Sequence, residues 1–298
     1  MRGRTFRVIA ATLVIYVGVA ALFLVMGAAR RGGDGGGQAL FGPRVAIVEL
    51  EGMIVEVDDL VRELRAHREN PQVRAVVMRI NSPGGVVGPT QELHQALMRV
   101  REAGKPVVAS LSSIAASGGY YTAVAADRIY ANPGTLTGSI GVIMQMANVA
   151  DLFKKVGVDY VVVKAGQYKD LGSFSRPMTP EERRVLQTLL DDVHAQFIDA
   201  VAQGRKLDRA EVTKFADGRV FSGVQARDLK MVDALGSLED AVNAAAKLAG
   251  LSVPPAVTRP SKRFSIFDLV RSQLGFRIPG LVVAPAIPTF RTLLYLMD

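Results

Sequence analysis

Residues 73–85 read VRAVVMRINSPGG. The first eight form a strand rich in β-branched residues, and Asn81-Ser82-Pro83-Gly84-Gly85 ends it, because Pro and Gly supply the fixed and positive φ values of turns. A helical pattern runs from about Pro89 to Ala103, residues 106–111 form another strand, and a helix follows over 117–126. Upstream, residues 45–50 (VAIVEL) read as a buried strand and 56–68 as an amphipathic helix. Short strands are expected at 127–131, 140–145 and 160–164. Thr179, Pro180 and Glu182 mark the start of a long helix to about Gln203: an N-cap, a first-turn proline and a capping-box partner. Shorter helices are expected at 209–215 and 238–248. Strands that alternate with helices predict an α/β domain with mostly parallel pairing.

The chain has 298 residues and a net charge of +8, which is unevenly placed. Residues 1–31 hold five arginines and no acid; residues 255–298 hold six basic and two acidic side chains, so the middle is close to neutral. Basic ends on a neutral body suit a membrane surface and disfavour nucleic acid as a partner. Residues 8–29 are 22 residues without a charge, about 33 Å as a helix, which is enough to cross the hydrocarbon core. A cleaved leader has a shorter apolar run, so an uncleaved anchor is expected, with Gly27-Ala28-Ala29 as the place where cleavage would fall. Arg2, Arg4 and Arg7 before the span outnumber Arg30 and Arg31 after it, which puts the N-terminus in the cytoplasm. The expected division is a short N-terminus (1–7), an anchor (8–29), a Gly-rich linker (30–43), a catalytic domain (44–252) and a basic, apolar extension (253–298). In that extension Phe264, Phe267, Val270 and Leu274 share one helical face among Lys262, Arg263, Arg271 and Arg277.

Two motifs carry chemistry. Ser117 precedes Gly118-Gly119 at the start of an apolar helical stretch, which places a hydroxyl beside backbone N–H groups. Lys169 lies 52 residues later, in the glycine-flanked Gly166-Gln167-Tyr168-Lys169-Asp170-Leu171-Gly172. The chain has no cysteine, and His67, His94 and His194 lie in predicted helices where they are expected to face solvent. A serine nucleophile with a lysine base is therefore the most economical chemistry. A lysine can act as a base only when neutral, so a carboxylate paired with it would hinder it; Asp170 is expected to pin the loop instead. Tyr120 and Tyr121 are expected to pack, and Ser82 to be a turn residue. No elbow of the Gly-x-Ser-x-Gly type, no phosphate loop and no metal-ligand spacing occurs, so no metal or other cofactor is implied.

Residues 45–250 resemble the bacterial signal peptide peptidase A family of serine peptidases. The resemblance rests on residues 79–85 (RINSPGG), 116–121 (ASGGYY) and 137–142 (TGSIGV), then on Tyr168-Lys169-Asp170, Met178-Thr179, Glu181-Glu182-Arg183 and residues 218–223 (GRVFSG), in that order. It implies a ClpP/crotonase-like fold of βαβ units, with Ser117 as nucleophile, Lys169 as general base and Ser139 as an auxiliary that orients the amine. It also implies an oxyanion hole from Gly118 and the Gly84-Gly85 turn, with the donor of the latter pair open. It further implies a ring-forming homo-oligomer in the bacterial inner membrane. There the catalytic domain is extracytoplasmic, and adjacent subunits supply Ser and Lys to cut signal-peptide remnants and other apolar peptides. The alternatives are a related membrane serine peptidase that processes one membrane protein, and a non-catalytic scaffold of the same fold.

Overall fold

The computed structural model describes residues 42–259 and the backbone of Leu294–Leu296. The expected anchor, most of the linker and the basic apolar face of residues 262–277 lie outside the described residues. Among the described residues no helix is long and apolar enough to cross a membrane.

The centre of the domain is a parallel sheet. Strand β1 (Arg44–Glu51) pairs with β2 (Val73–Ser82), and β2 pairs with β4 (Val107–Ala116), all parallel. Short β9 (Ala256–Thr258) adds to the outer edge of β1, so the sheet continues past residue 252. On the other side the sheet forks. The first half of β4 pairs with β5 (Arg128–Ala131), which carries β8 (Ala234–Leu235), while its second half pairs with β6 (Leu136–Gly138). Strand β7 (Val220–Ser222) runs antiparallel along β6.

Both faces of the central strands are covered, which is why they read as continuous apolar runs. Successive side chains on a strand point to opposite faces. Ala46, Val48, Leu50, Met78 and Ile80 enter the main core, together with Leu64 of α1 (Asp58–Glu69) and Leu93 and Leu97 of α2 (Val87–Glu102). Tyr120 of α3 (Gly118–Ala123) and Phe197 of α5 (Pro180–Arg205) complete that side. Val45, Ile47, Ala75 and Val77 face the other way, against Ala241, Ala245 and Ala246 of α8 (Leu238–Leu248). Between these lie the shorter α4 (Ala150–Val156), α6 (Arg209–Thr213) and α7 (Gly223–Asp228).

The start of α5 is as its sequence predicts: the Thr179 hydroxyl accepts from the Glu182 N–H at 3.2 Å, and a Glu182 carboxyl oxygen accepts from the Thr179 N–H at 2.9 Å. Two expected strands differ. Residues 140–145 form no strand; the pairing partner of β4 lies a few residues earlier, at β6. Residues 160–164 pair with no strand among the described residues, and Val161 is 80% and Val163 96% exposed. Their β-branched composition favours an extended chain, but a sheet also needs a free edge to receive it.

Candidate active site

Two parallel strand ends hold the predicted serines. Ala116, the last residue of β4, lies opposite Gly138, the last of β6. Ser117 and Ser139 follow, and each has a φ of 51°. That value is rare for a residue with a Cβ and costs about 1–3 kcal/mol, so the surroundings must enforce it. They do so through hydrogen bonds: the Ser117 N–H donates to the Gly138 carbonyl at 2.7 Å, and the Ser139 N–H donates to the Arg219 carbonyl at 2.8 Å. The segment 218–223 is thus the strand edge that fixes Ser139.

Ser117 is fully buried, and its Oγ makes no hydrogen bond among the described residues. A buried hydroxyl without a partner is costly. The glycines around it are close-fitting. A Cβ on Gly118 would come 2.9 Å from Thr90 Oγ1 and 3.2 Å from the Gly85 nitrogen; one on Gly119 would come 2.7 Å from the Ser82 carbonyl oxygen. The turn after β2 therefore lies directly against the residue that follows Ser117. Within that turn the Gly84 N–H is already committed, donating to Ser82 Oγ at 3.1 Å. Ser82 is buried and acts as the expected turn residue.

Beyond the turn, β3 (Gly84–Val86) accepts a strand. The backbone of β10 (Leu294–Leu296) pairs with it antiparallel, with Tyr295 opposite Gly85. An extended segment of the chain itself thus lies along the strand that borders Ser117.

Lys169 is elsewhere. It is exposed, and its side chain makes no hydrogen bond or ion pair among the described residues, so it does not contact the Ser117 hydroxyl within one chain. Its loop is nonetheless well tied. The Tyr168 hydroxyl donates to Glu181 at 2.6 Å, and Asp170 accepts from Lys164 and, at 2.8 Å, from Arg176. Asp170 therefore pins the loop, as expected, and does not pair with Lys169. Arg176 joins this arrangement with nothing in the sequence to single it out except its place between the lysine loop and the capping box.

The histidines correct an expectation: His67, His94 and His194 are half-buried, not solvent-facing. His94 stacks edge-on against Tyr121, with ring centres 5.1 Å apart, and burial followed by the Arg101 charge pushes its imidazole down to about 4. Tyr120 and Tyr121 do pack; the Tyr120 hydroxyl is buried and donates to the Met231 carbonyl at 2.9 Å.

Known proteins share this sequence pattern. Residues 99–252 match the model of peptidase family S49, and the chain belongs to that family. It is 50% identical over 183 residues to a Synechocystis protein named as a protease, a match that covers 61% of this chain and 66% of that one. It is 38% identical over 194 residues to Protease 4 of Salmonella typhi, covering 65% of this chain and 31% of that protein. A third relative, the chloroplastic serine protease SPPA of Arabidopsis thaliana, is 34% identical over 236 residues, 77% of this chain and 34% of its own. The chain thus spans two thirds or less of these relatives.

Proposed function

We propose that this protein is a membrane-anchored serine endopeptidase of the signal peptide peptidase A type, with a ClpP/crotonase-like catalytic domain. The observation that carries the reading is the antiparallel segment on β3: the edge that borders a strained, buried Ser117, whose hydroxyl has no partner among the described residues, is one that accepts an extended peptide. A protein substrate bound there by strand addition would have its backbone carbonyl beside the serine. Ser117 Oγ attacks that carbonyl carbon as its proton passes to a neutral Lys169 amine. The N–H groups of Gly118 and Gly85 serve the oxyanion, since the Gly84 N–H is taken by Ser82. Collapse breaks the C–N bond, and the lysine ammonium returns its proton to the leaving amine. Water then releases the acyl group. Ser139, on the neighbouring strand end, orients the amine.

The lysine comes from a second copy of the chain. Among the described residues of one chain the Ser117 hydroxyl has no partner and Lys169 faces solvent, so these residues alone do not form the dyad. The segments that precede the lysine loop in the chain expose apolar side chains, Leu152, Val156, Val161 and Val163, which suits burial against a neighbour in a ring. Residues 8–29 anchor the ring at the bacterial inner membrane, where signal-peptide remnants and other apolar peptides lie. A covalent serine probe tests the reading. A fluorophosphonate should label the full-length protein and fail to label Ser117→Ala; a folded, assembled wild type that neither reacts nor cuts an apolar peptide would point to the scaffold reading.

A further inference from the structure

Asp170 follows Lys169 directly, and a carboxylate beside a lysine base is a hazard, because it favours the protonated amine. In this structure the carboxylate is held by other cations. Its Oδ2 accepts from Arg176 Nε at 2.8 Å and its Oδ1 accepts from Lys164 Nζ. Arg176 is fixed on its far side as well: its two Nη atoms reach both oxygens of Glu182, at 2.9 and 2.5 Å. Glu182 in turn closes the capping box of α5 with Thr179. The side chains of Asp170 and Glu182 are only 11% and 7% exposed, so each needs its cation. The other charged and titratable groups nearby are engaged or lie outward. Tyr168 donates to Glu181, Arg183 lines the same depression as Arg176, and the charge of Arg184 acts on Tyr168.

We infer that Arg176 is a positioning residue for Lys169: it fixes the 166–178 loop on the start of α5 and keeps the Asp170 carboxylate off the lysine amine. The inference rests on the reading of Lys169 as the base. Arg176 first, then Lys164, hold the Asp170 carboxyl well below the usual carboxylate range. Arg176 first, then the Thr179 backbone, hold Glu182 down to about 2. The clamp is therefore fully charged wherever a lysine could act as a base.

The test is the pH–rate profile of peptide cleavage by full-length Arg176→Gln, with Asp170→Asn and Lys169→Ala made alongside. In Arg176→Gln the carboxylate, left with Lys164 alone, should move the rising limb up by roughly half to one pH unit. The double variant Arg176→Gln/Asp170→Asn should bring the limb back to its wild-type position, an outcome that general loosening of the loop would not give. An unshifted limb in Arg176→Gln, or a shift that persists in the double variant, overturns the inference while leaving the dyad intact. An active Lys169→Ala would overturn the dyad itself, and the inference with it. Arg176→Lys keeps a cation on Asp170 but gives up the two-pronged contact with Glu182. It serves if Arg176→Gln does not fold, and should lower kcat several-fold at unchanged KM with an unshifted limb; an unaltered kcat would count against positioning. NMR titration of isotopically methylated Lys169 gives a readout independent of turnover. Its midpoint should rise in Arg176→Gln, and a midpoint equal to the wild type's overturns the inference.

Discussion

Ser117 and Ser139 each leave the end of a strand at a φ of 51°, one step beyond the Ala116–Gly138 pair. The two hydroxyl-bearing residues are held by one register, so neither can shift along the sheet without the other. Ser139→Ala should leave that backbone intact, because its N–H bond to Arg219 does not need the side chain. We expect peptide turnover to fall about ten-fold or more, with fluorophosphonate labelling slowed in step and the melting temperature unchanged; full turnover would remove Ser139 from the mechanism.

If one copy supplies Ser117 and the next supplies Lys169, two dead variants should repair each other. Alone, Lys169→Ala should lower kcat by roughly 10²–10⁴ and Ser117→Ala by on the order of 10⁶. Mixed and reassembled together, they should recover a measurable share of wild-type activity, since some sites receive both intact residues. No recovery from a mixture shown to co-assemble would place both residues of each site in one chain.

The clamp on the lysine loop predicts sensitivity to acid. Asp170 and Glu182 both titrate lower in the folded chain than in the unfolded one, through their contacts with Arg176 first. Protonation therefore favours the opened loop: the stabilisation is complete above about pH 4.5 and is lost as pH falls through about 2 for Glu182. Relative to the intrinsic rate at each pH, hydrogen exchange at residues 166–178 should lose protection over that interval before the central sheet opens. Protection lost evenly across the domain would contradict the assignment.

Gly85 leaves no space for a side chain. A Cβ there would sit 2.0 Å from the Ile54 carbonyl oxygen, a backbone atom that cannot swing away. Gly85→Ala should destabilise the fold by about 1–3 kcal/mol or more in urea and suppress labelling of Ser117. A stable, normally reactive Gly85→Ala would show that the turn is looser than this packing implies.

A peptide that pairs with β3 competes with Leu294–Leu296 for the same edge. Truncation before residue 294 should raise kcat/KM for an apolar peptide by a few-fold, chiefly through KM. Unchanged kinetics would mean that substrate approaches along a different strand.

Much of this was legible in the sequence because local chemistry and fold agree there. The strand over 73–80 and its Asn-Ser-Pro-Gly-Gly turn, the capping box at Thr179 and the helix at 238–248 each follow from spacing alone. What escaped depends on partners distant in sequence. Residues 160–164 have the composition of a strand but pair with no strand among the described residues, and three-residue β9 has a partner but too little sequence to announce it. The positive φ of Ser117 comes from the Gly138 carbonyl 21 residues away, and the half-burial of His94 from packing on Tyr121. Arg176 looks like any loop arginine until Asp170 and Glu182 are seen on either side of it.

The fork in the sheet divides its labour. The first half of β4 is bonded to β5 and, through it, to β8; the second half, which leads to Ser117, is bonded to β6 and through it to β7. A disturbance in the β5–β8 arm reaches the nucleophile less directly, along β4 or through the Tyr120–Met231 hydrogen bond. Substitutions in the β6–β7 arm act on the register that holds Ser117 and Ser139, so they retune reactivity more directly than substitutions in the β5–β8 arm.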